Sequence, residues 1–71
     1  MNVLIIKTSE RRLIAEEILE GLGKTTEVNN AFSECCNFLD GEVVESITII
    51  FNGEVSEYTV NDGIQNFLKT I

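Results

Sequence analysis

Apolar positions change their period along the chain and so divide it into short elements. Residues 3–6 (VLII) form a continuous apolar run, which is typical of a strand buried on both faces. From residue 11 onward the apolar positions follow a helical period, and Thr8 or Ser9 can cap that helix. One arc of about 140° collects its apolar side chains, Ile14, Ala15, Ile18, Leu19 and Leu22. A strand followed by an amphipathic helix is therefore predicted, with Gly21 and Gly23 at the end of the helix.

The middle of the chain predicts a weak strand and a second helix. Residues 24–28 (KTTEV) are mostly polar but rich in β-branched side chains, as in an edge strand. Asn29 and Asn30 are cap candidates for the helix that follows. Its apolar residues recur at i, i+3, i+4 and i+7, namely Phe32, Cys35, Cys36 and Leu39. Gly41 is expected to end this helix.

Residues 46–51 and 54–60 predict a β-hairpin around Asn52-Gly53, the preferred pair for a two-residue type I′ turn. That turn fixes which residues face each other across the strands: Phe51 and Glu54, Ile49 and Ser56, Ile47 and Tyr58. A three-residue loop would instead place Val55 opposite Ile49. Both registers agree with the sequence.

The last residues predict a third helix, capped by Asn61 or Asp62. Its apolar stripe is Ile64, Phe67, Leu68 and Ile71. The whole chain, residues 1–71, is thus expected to be a single α/β domain with the order β-α-β-α-β-β-α. The apolar strands would be central and the polar strands at the edges, in a four-stranded mixed sheet of order 2-1-3-4 with three helices. The first three strands would be parallel and the fourth antiparallel.

The net charge of −7 is confined to residues 25–71, which hold eight acids and a single base, Lys69. Residues 1–24 hold four acids and four bases. Proteins bind nucleic acids and anionic membranes mainly through Lys and Arg, so direct binding to either is not expected. A basic, Lys/Arg-rich protein is the partner that this charge favours. The acids expected to contact it are Glu34, Asp40, Glu42, Glu45, Glu54, Glu57 and Asp62.

The sequence contains no catalytic or cofactor-binding pattern. It has no His, and its two Cys are adjacent, so Cys35 and Cys36 are expected to be small core residues without a metal. Glu16, Glu17 and Glu20 are expected on the solvent side of the first helix. We therefore expect a protein that is not an enzyme and has no catalytic residue, cofactor or metal. The N-terminal apolar run is too short for a signal peptide or membrane span, which predicts a cytoplasmic protein.

Residues 3–41 resemble the first half of a receiver (response-regulator) domain, in the order strand, capped helix, edge strand, helix. The family's acidic pair after the first strand is here Lys7-Thr8, and Asn52 lies near the position of its phospho-accepting Asp. The resemblance thus implies a fold without phosphoryl chemistry. It suggests a small interaction or adaptor domain that uses an apolar helix face or an edge strand. Leu13, on the polar side of the predicted first helix, would then be a contact residue.

In size, charge and compactness the chain also resembles the small acidic host-takeover proteins of bacteriophages. Several of these act as DNA mimics, so the resemblance implies an inhibitor that occupies the basic nucleic-acid-binding surface of a host protein. The nucleoid protein HU in the host cytoplasm is an example. Carboxylates at i and i+2 of a strand lie about 6.6 Å apart, close to the interval between phosphates. A homodimer is compatible with this hypothesis and with the adaptor hypothesis.

Overall fold

The computed structural model describes residues 1–59, so the predicted third helix and Asp62 lie outside the described residues. Five elements follow one another: β1 (Val3–Thr8), β2 (Leu13–Glu17), α1 (Lys24–Cys36), β3 (Val44–Phe51) and β4 (Glu54–Thr59). The strands form one sheet in the order β2-β1-β3-β4. Every neighbouring pair is antiparallel.

This architecture corrects the predicted fold. The order β-α-β-α-β-β-α is wrong, because residues 1–59 form four strands and one helix and no strand pair is parallel. The two apolar segments do form the central strands, as predicted. The strand order has the predicted numerals 2-1-3-4, but its second strand is residues 13–17 instead of residues 24–28. The order strand, helix, strand, helix that the receiver resemblance implies for residues 3–41 is therefore absent.

The chain turns back after β1 because Thr8, which was predicted to cap a helix, closes a tight turn. The Thr8 hydroxyl accepts hydrogen bonds from the backbone N–H groups of Glu10 and Arg12, each at 3.2 Å. Arg11 has a φ of 62°, in the left-handed region, which is incompatible with a right-handed helix at this residue. The segment that follows pairs with β1, and Ile14 lies buried opposite Ile6. Pairing with an apolar strand thus prevails over the helical period of this segment.

The helix begins where an edge strand was predicted. Gly23 is its N-cap residue, with a φ of 94°, and residues 24–28 are its first five residues. Val28, Ala31 and Cys35 are buried at positions i, i+3 and i+7, so the buried stripe starts one turn before the predicted one. The β-branched residues that suggested a strand are accommodated because this stripe buries against the sheet.

The hairpin between β3 and β4 has the predicted two-residue turn and register. Asn52 and Gly53 both have positive φ, 50° and 84°, as a type I′ turn requires. Phe51 lies opposite Glu54, and Ile50 lies opposite Val55. The three-residue loop, which would have put Val55 opposite Ile49, is therefore wrong.

The core lies between α1 and one face of the sheet, and α1 packs mainly against β2 and β1. Leu4, Ile6 and Ile47 are completely buried. Partly buried apolar residues surround this core, namely Phe32, Leu39, Val44, Phe51 and Tyr58. The ring of Phe51 is also covered by the Lys24 ammonium, 5.5 Å from the ring centroid.

The side of the sheet opposite α1 is called the outer face. Directly opposite residues of antiparallel strands share a face, so the register defines rows that cross all four strands. In the order β2, β1, β3, β4, the three rows are Leu13, Lys7, Ser46 and Thr59; Ala15, Ile5, Thr48 and Glu57; and Glu17, Val3, Ile50 and Val55. Half of these twelve residues are apolar.

Candidate functional site

The structure places the predicted partner-binding acids at three separate borders of the domain. Asp40, Glu42 and Glu45 lie at the end of the sheet that carries the β1–β2 turn and the α1–β3 connection. Glu54 and Glu57 lie on β4, and Glu34 lies on α1. Asp62 lies outside the described residues. The six described acids thus form a rim around the domain and not one row.

Glu42 belongs to an internal network. Its carboxylate accepts hydrogen bonds from the Thr8 hydroxyl at 2.8 Å and from Arg12 Nε at 2.9 Å. Arg12 also donates through its Nη2 to the same carboxylate and to the backbone carbonyl of Phe38. The network therefore ties together the end of β1, the β1–β2 turn and the α1–β3 connection.

This network changes the acid–base properties of both charged groups. The hydrogen bond from Arg12, followed by that from Thr8, lowers the pKa of Glu42 below its ordinary value. The hydrogen bond to Glu42 in turn raises the pKa of Arg12. Glu42 is thus held ionised and already has a cationic partner within the chain. Of the six described acids, it is the least suited to bind an external cation.

The other five acids of this set are exposed and stand in different surroundings. Glu45 is the extra residue where the β1–β3 register shifts, between Ser46 opposite Lys7 and Val44 opposite Thr8. Glu54 follows the hairpin turn. Glu57 lies on the outer face at the β4 edge, opposite Thr48. None of these three carboxylates makes an ion pair with a described residue.

A second acidic surface was missed by the sequence analysis. A groove of about 280 Å³ between β2 and α1 is lined by Glu16, Glu17, Leu19, Glu27, Asn30, Ala31 and Glu34. The predicted first helix would have put Glu16 and Glu17 on one solvent face. In a strand, consecutive side chains point to opposite faces, so Glu16 points toward α1 and Glu17 toward the outer face. The groove would have been predictable only if residues 13–17 had been predicted as a strand.

Glu27 in this groove is buried, with only 6% of its surface exposed, and serves the fold. Its carboxylate accepts the backbone N–H of Leu22 at 3.1 Å and the Asn30 side-chain amide at 3.3 Å. It also lies in the first turn of α1, where the helix dipole favours a negative charge. The side chain therefore fastens the β2–α1 loop to the helix.

The two cysteines have unequal surroundings on α1. Cys35 is completely buried, as predicted for a core residue, and its thiol lies 3.9 Å from the carbonyl oxygen of Ile14. Burial raises the pKa of Cys35 to about 11 and also raises that of the half-buried Cys36. Both thiols are therefore poor nucleophiles at neutral pH. Within residues 1–59, no cluster of acidic or cysteine side chains is arranged to hold a metal ion.

Comparison of the chain with protein-family models, with curated proteins and with solved structures gives no match. In the part of the chain that the structure describes, no helix is both long enough and apolar enough to cross a membrane.

Proposed function

We propose that this protein is an acidic binding protein, not an enzyme, that docks on the Lys/Arg-rich surface of a nucleic-acid-binding protein. The observation that carries the proposal is the uncompensated charge of the described domain. Residues 1–59 contain eleven acids and four bases, and Arg12–Glu42 is the one ion pair among them. The exposed carboxylates therefore remain available to a cationic partner.

The cost of this charge supports a role in binding. Like charges crowded on a small domain repel one another and destabilise its compact state, so folding alone does not favour them. An acidic surface does favour rapid, oriented association with a basic surface. The rim of Asp40, Glu45, Glu54 and Glu57 suits a basic partner that surrounds part of the domain, such as a concave nucleic-acid-binding groove.

The proposed action is inhibition by exclusion of nucleic acid. A partner such as HU binds DNA through Lys and Arg, and carboxylates that occupy those side chains compete with the phosphates. The protein would then act as a DNA mimic of the phage host-takeover class, in the cytoplasm of the host cell. Because the acids form a rim, the mimicry would be of charge and not of a regular phosphate row.

The test is a binding titration of purified HU at low and high salt. The triple substitution Glu45→Gln, Glu54→Gln and Glu57→Gln removes three exposed charges, and we expect it to weaken binding about tenfold or more at low salt. Wild-type binding should weaken steeply as salt rises, and wild-type protein should displace labelled DNA from HU. Glu42 is left unchanged because its pairing with Arg12 supports the fold.

The matched control is the triple substitution Glu10→Gln, Glu16→Gln and Glu20→Gln. It removes the same number of charges from the electrically balanced residues 1–24. We expect this variant to retain most of the affinity for HU. Equal binding by the Glu45/Glu54/Glu57 variant and the wild type would contradict the proposal.

A second candidate function is an interaction domain with largely apolar contacts. The exposure of two large apolar residues on the outer face favours it, since Leu13 is 67% and Val55 is 68% exposed. Such a domain could also form a homodimer, and sedimentation of the wild-type protein would give its stoichiometry.

A further inference from the structure

The outer face carries a continuous apolar band that runs from one edge strand to the other. Its members are Leu13 and Ala15 on β2, Ile5 and Val3 on β1, Ile50 on β3, and Val55 on β4. The solvated face of an antiparallel sheet is ordinarily polar, in alternation with the buried face. The edge members Leu13, Ala15 and Val55 are exposed, and the central members Val3, Ile5 and Ile50 are half-buried. A contiguous apolar patch that reaches the surface is characteristic of a binding site. The band is therefore a candidate docking surface.

Two carboxylates stand on opposite edges of this band. Glu17 lies on the β2 edge in the row of Val3 and Ile50, and Glu57 lies on the β4 edge one row away. Three strand spacings separate the two edges by about 14 Å, and one row step adds about 7 Å along the strands. The Cα atoms of Glu17 and Glu57 are thus about 16 Å apart, with apolar side chains between them.

We infer that the outer face binds an amphipathic basic helix of a partner protein, which crosses the strands of the sheet. A helix rises about 1.5 Å per residue, so about 16 Å corresponds to eleven residues. Positions i and i+11 lie on almost the same side of a helix. Lys or Arg at these two positions can therefore reach Glu57 and Glu17 while apolar residues at i+4 and i+7 rest on the band.

A second copy of the chain fits this surface less well. In a face-to-face pair with a twofold axis along the strands, Glu57 would lie against Ala15 and Glu17 against Val55 of the other copy. With the axis across the strands, Glu57 would lie against Glu57. In each arrangement the residue directly opposite Glu57 is not a cation, and burying a carboxylate that is not directly paired is costly. A partner that brings its own cations avoids that cost.

This inference rests on the proposed function, because it names the surface and the kind of segment that a basic partner would use. The probe is a synthetic helical peptide with Lys at i and i+11 and Leu at i+4 and i+7, titrated into the ¹⁵N-labelled full chain. We expect amide shift changes to concentrate on the outer-face residues Ile5, Thr48, Ile50 and Val55. A peptide with Glu in place of both Lys should bind at least about tenfold more weakly. Shift changes confined to α1 and the β2–α1 groove, or the absence of binding, would overturn the inference.

Neutral substitutions separate the apolar band from the overall charge. The double variant Leu13→Gln and Val55→Gln keeps every charge, and we expect it to bind the Lys peptide about tenfold more weakly. Its control is Leu22→Gln, which changes an equally exposed apolar residue, at 70%, in the β2–α1 loop. Circular dichroism checks that the variants are folded. Unchanged peptide binding by the folded double variant overturns the inference.

The same variants distinguish this inference from the proposed function. If the double variant binds HU as tightly as the wild type while the Glu45/Glu54/Glu57 variant does not, the outer-face inference fails and the proposed function stands. If the outer face is instead an interface between copies, sedimentation will show a wild-type dimer that the double variant dissociates, and that result also overturns the inference.

Discussion

At the scale of single residues, Thr8 and Glu42 show how one hydrogen-bonded pair organises an end of the domain. Thr8 is completely buried, and its hydroxyl donates to Glu42 while it accepts two backbone N–H groups of the β1–β2 turn. Thirty-four residues separate the two partners in sequence. From sequence alone, Glu42 is predicted to contact an external partner, because no local pattern marks its hydrogen bonds to Thr8 and Arg12.

Replacing Glu42 with Gln should reveal this role through its pH dependence. The pKa of Glu42 is lowered by folding, so the carboxylate contributes stability above its unfolded pKa, and this contribution is lost as pH falls through the folded value. We expect Glu42→Gln to melt several degrees below wild type at neutral pH. The difference should shrink progressively as the pH is lowered below about 4.5.

Thermal unfolding followed by circular dichroism over a series of pH values measures this difference. The control is Glu10→Gln, which changes an exposed acid in the adjacent turn and should leave the melting temperature nearly unchanged. A Glu42→Gln deficit that persists undiminished in acid would show that the ionised carboxylate is not what stabilises this end of the sheet.

At the scale of elements, the Asn52-Gly53 turn fixes the register of the β3–β4 hairpin. This register places Ile47 and Ile49 in the core and Ile50 and Val55 on the outer face. A slip by one residue would exchange these faces, which is why the turn residues matter for the whole sheet.

Gly53→Ala tests the turn. Gly53 has a φ of 84°, and an L-residue pays roughly 1–2 kcal/mol for left-handed backbone. For a domain of this size, that cost lowers the melting temperature by about 4–8 °C per kcal/mol. Gly21→Ala is the matched control. Its new Cβ would lie 3.5 Å from Glu27 Oε2, an ordinary contact, and its φ is not in the left-handed region. Equal melting temperatures for the two variants would contradict this account of the turn.

The hairpin was predictable from sequence because its determinants are local: two turn residues with positive φ between β-branched strands. The β1–β2 hairpin was not predictable in the same way. Leu13–Glu17 consists of residues with good helix propensity at a helical period, and only its pairing with β1 and the left-handed Arg11 make it a strand. The start of α1 shows the converse case. Thr25, Thr26 and Val28 are β-branched and have a high intrinsic strand propensity. The segment is nevertheless helical, because the helix buries Val28 against the sheet.

At the scale of the whole molecule, the domain carries a charge that its own structure does not neutralise. Lys24 covers the Phe51 ring and Arg12 binds Glu42, so two of the four described bases are engaged locally. The charge excess was evident from composition alone. The distribution of the acids over three borders was not, because it depends on which strand neighbours which and on the bulge at Glu45.

The repulsion between the acidic side chains should be measurable in the free protein as a loss of thermal stability. We expect the variant with Glu45→Gln, Glu54→Gln and Glu57→Gln to melt at a higher temperature than wild type at low salt, because three like charges are removed from a domain with net charge −7. The difference should fade as salt is added, since the Debye length shortens to about 10 Å at 0.1 M. Differential scanning calorimetry at two salt concentrations measures it. A lower melting temperature for the variant would show that these acids stabilise the fold and do not destabilise it.

The position of β1 at the centre of the sheet has a consequence for synthesis of the chain. β1 leaves the ribosome before the other described strands, yet one of its two partners, β3, ends only at Phe51. Leu4 and Ile49 are direct neighbours across these strands. The nascent chain can therefore form its first hairpin early but cannot close its core until almost the whole described domain has been translated. Until then, one edge of β1 and the apolar side chains beside it are open to chaperones and to other nascent chains.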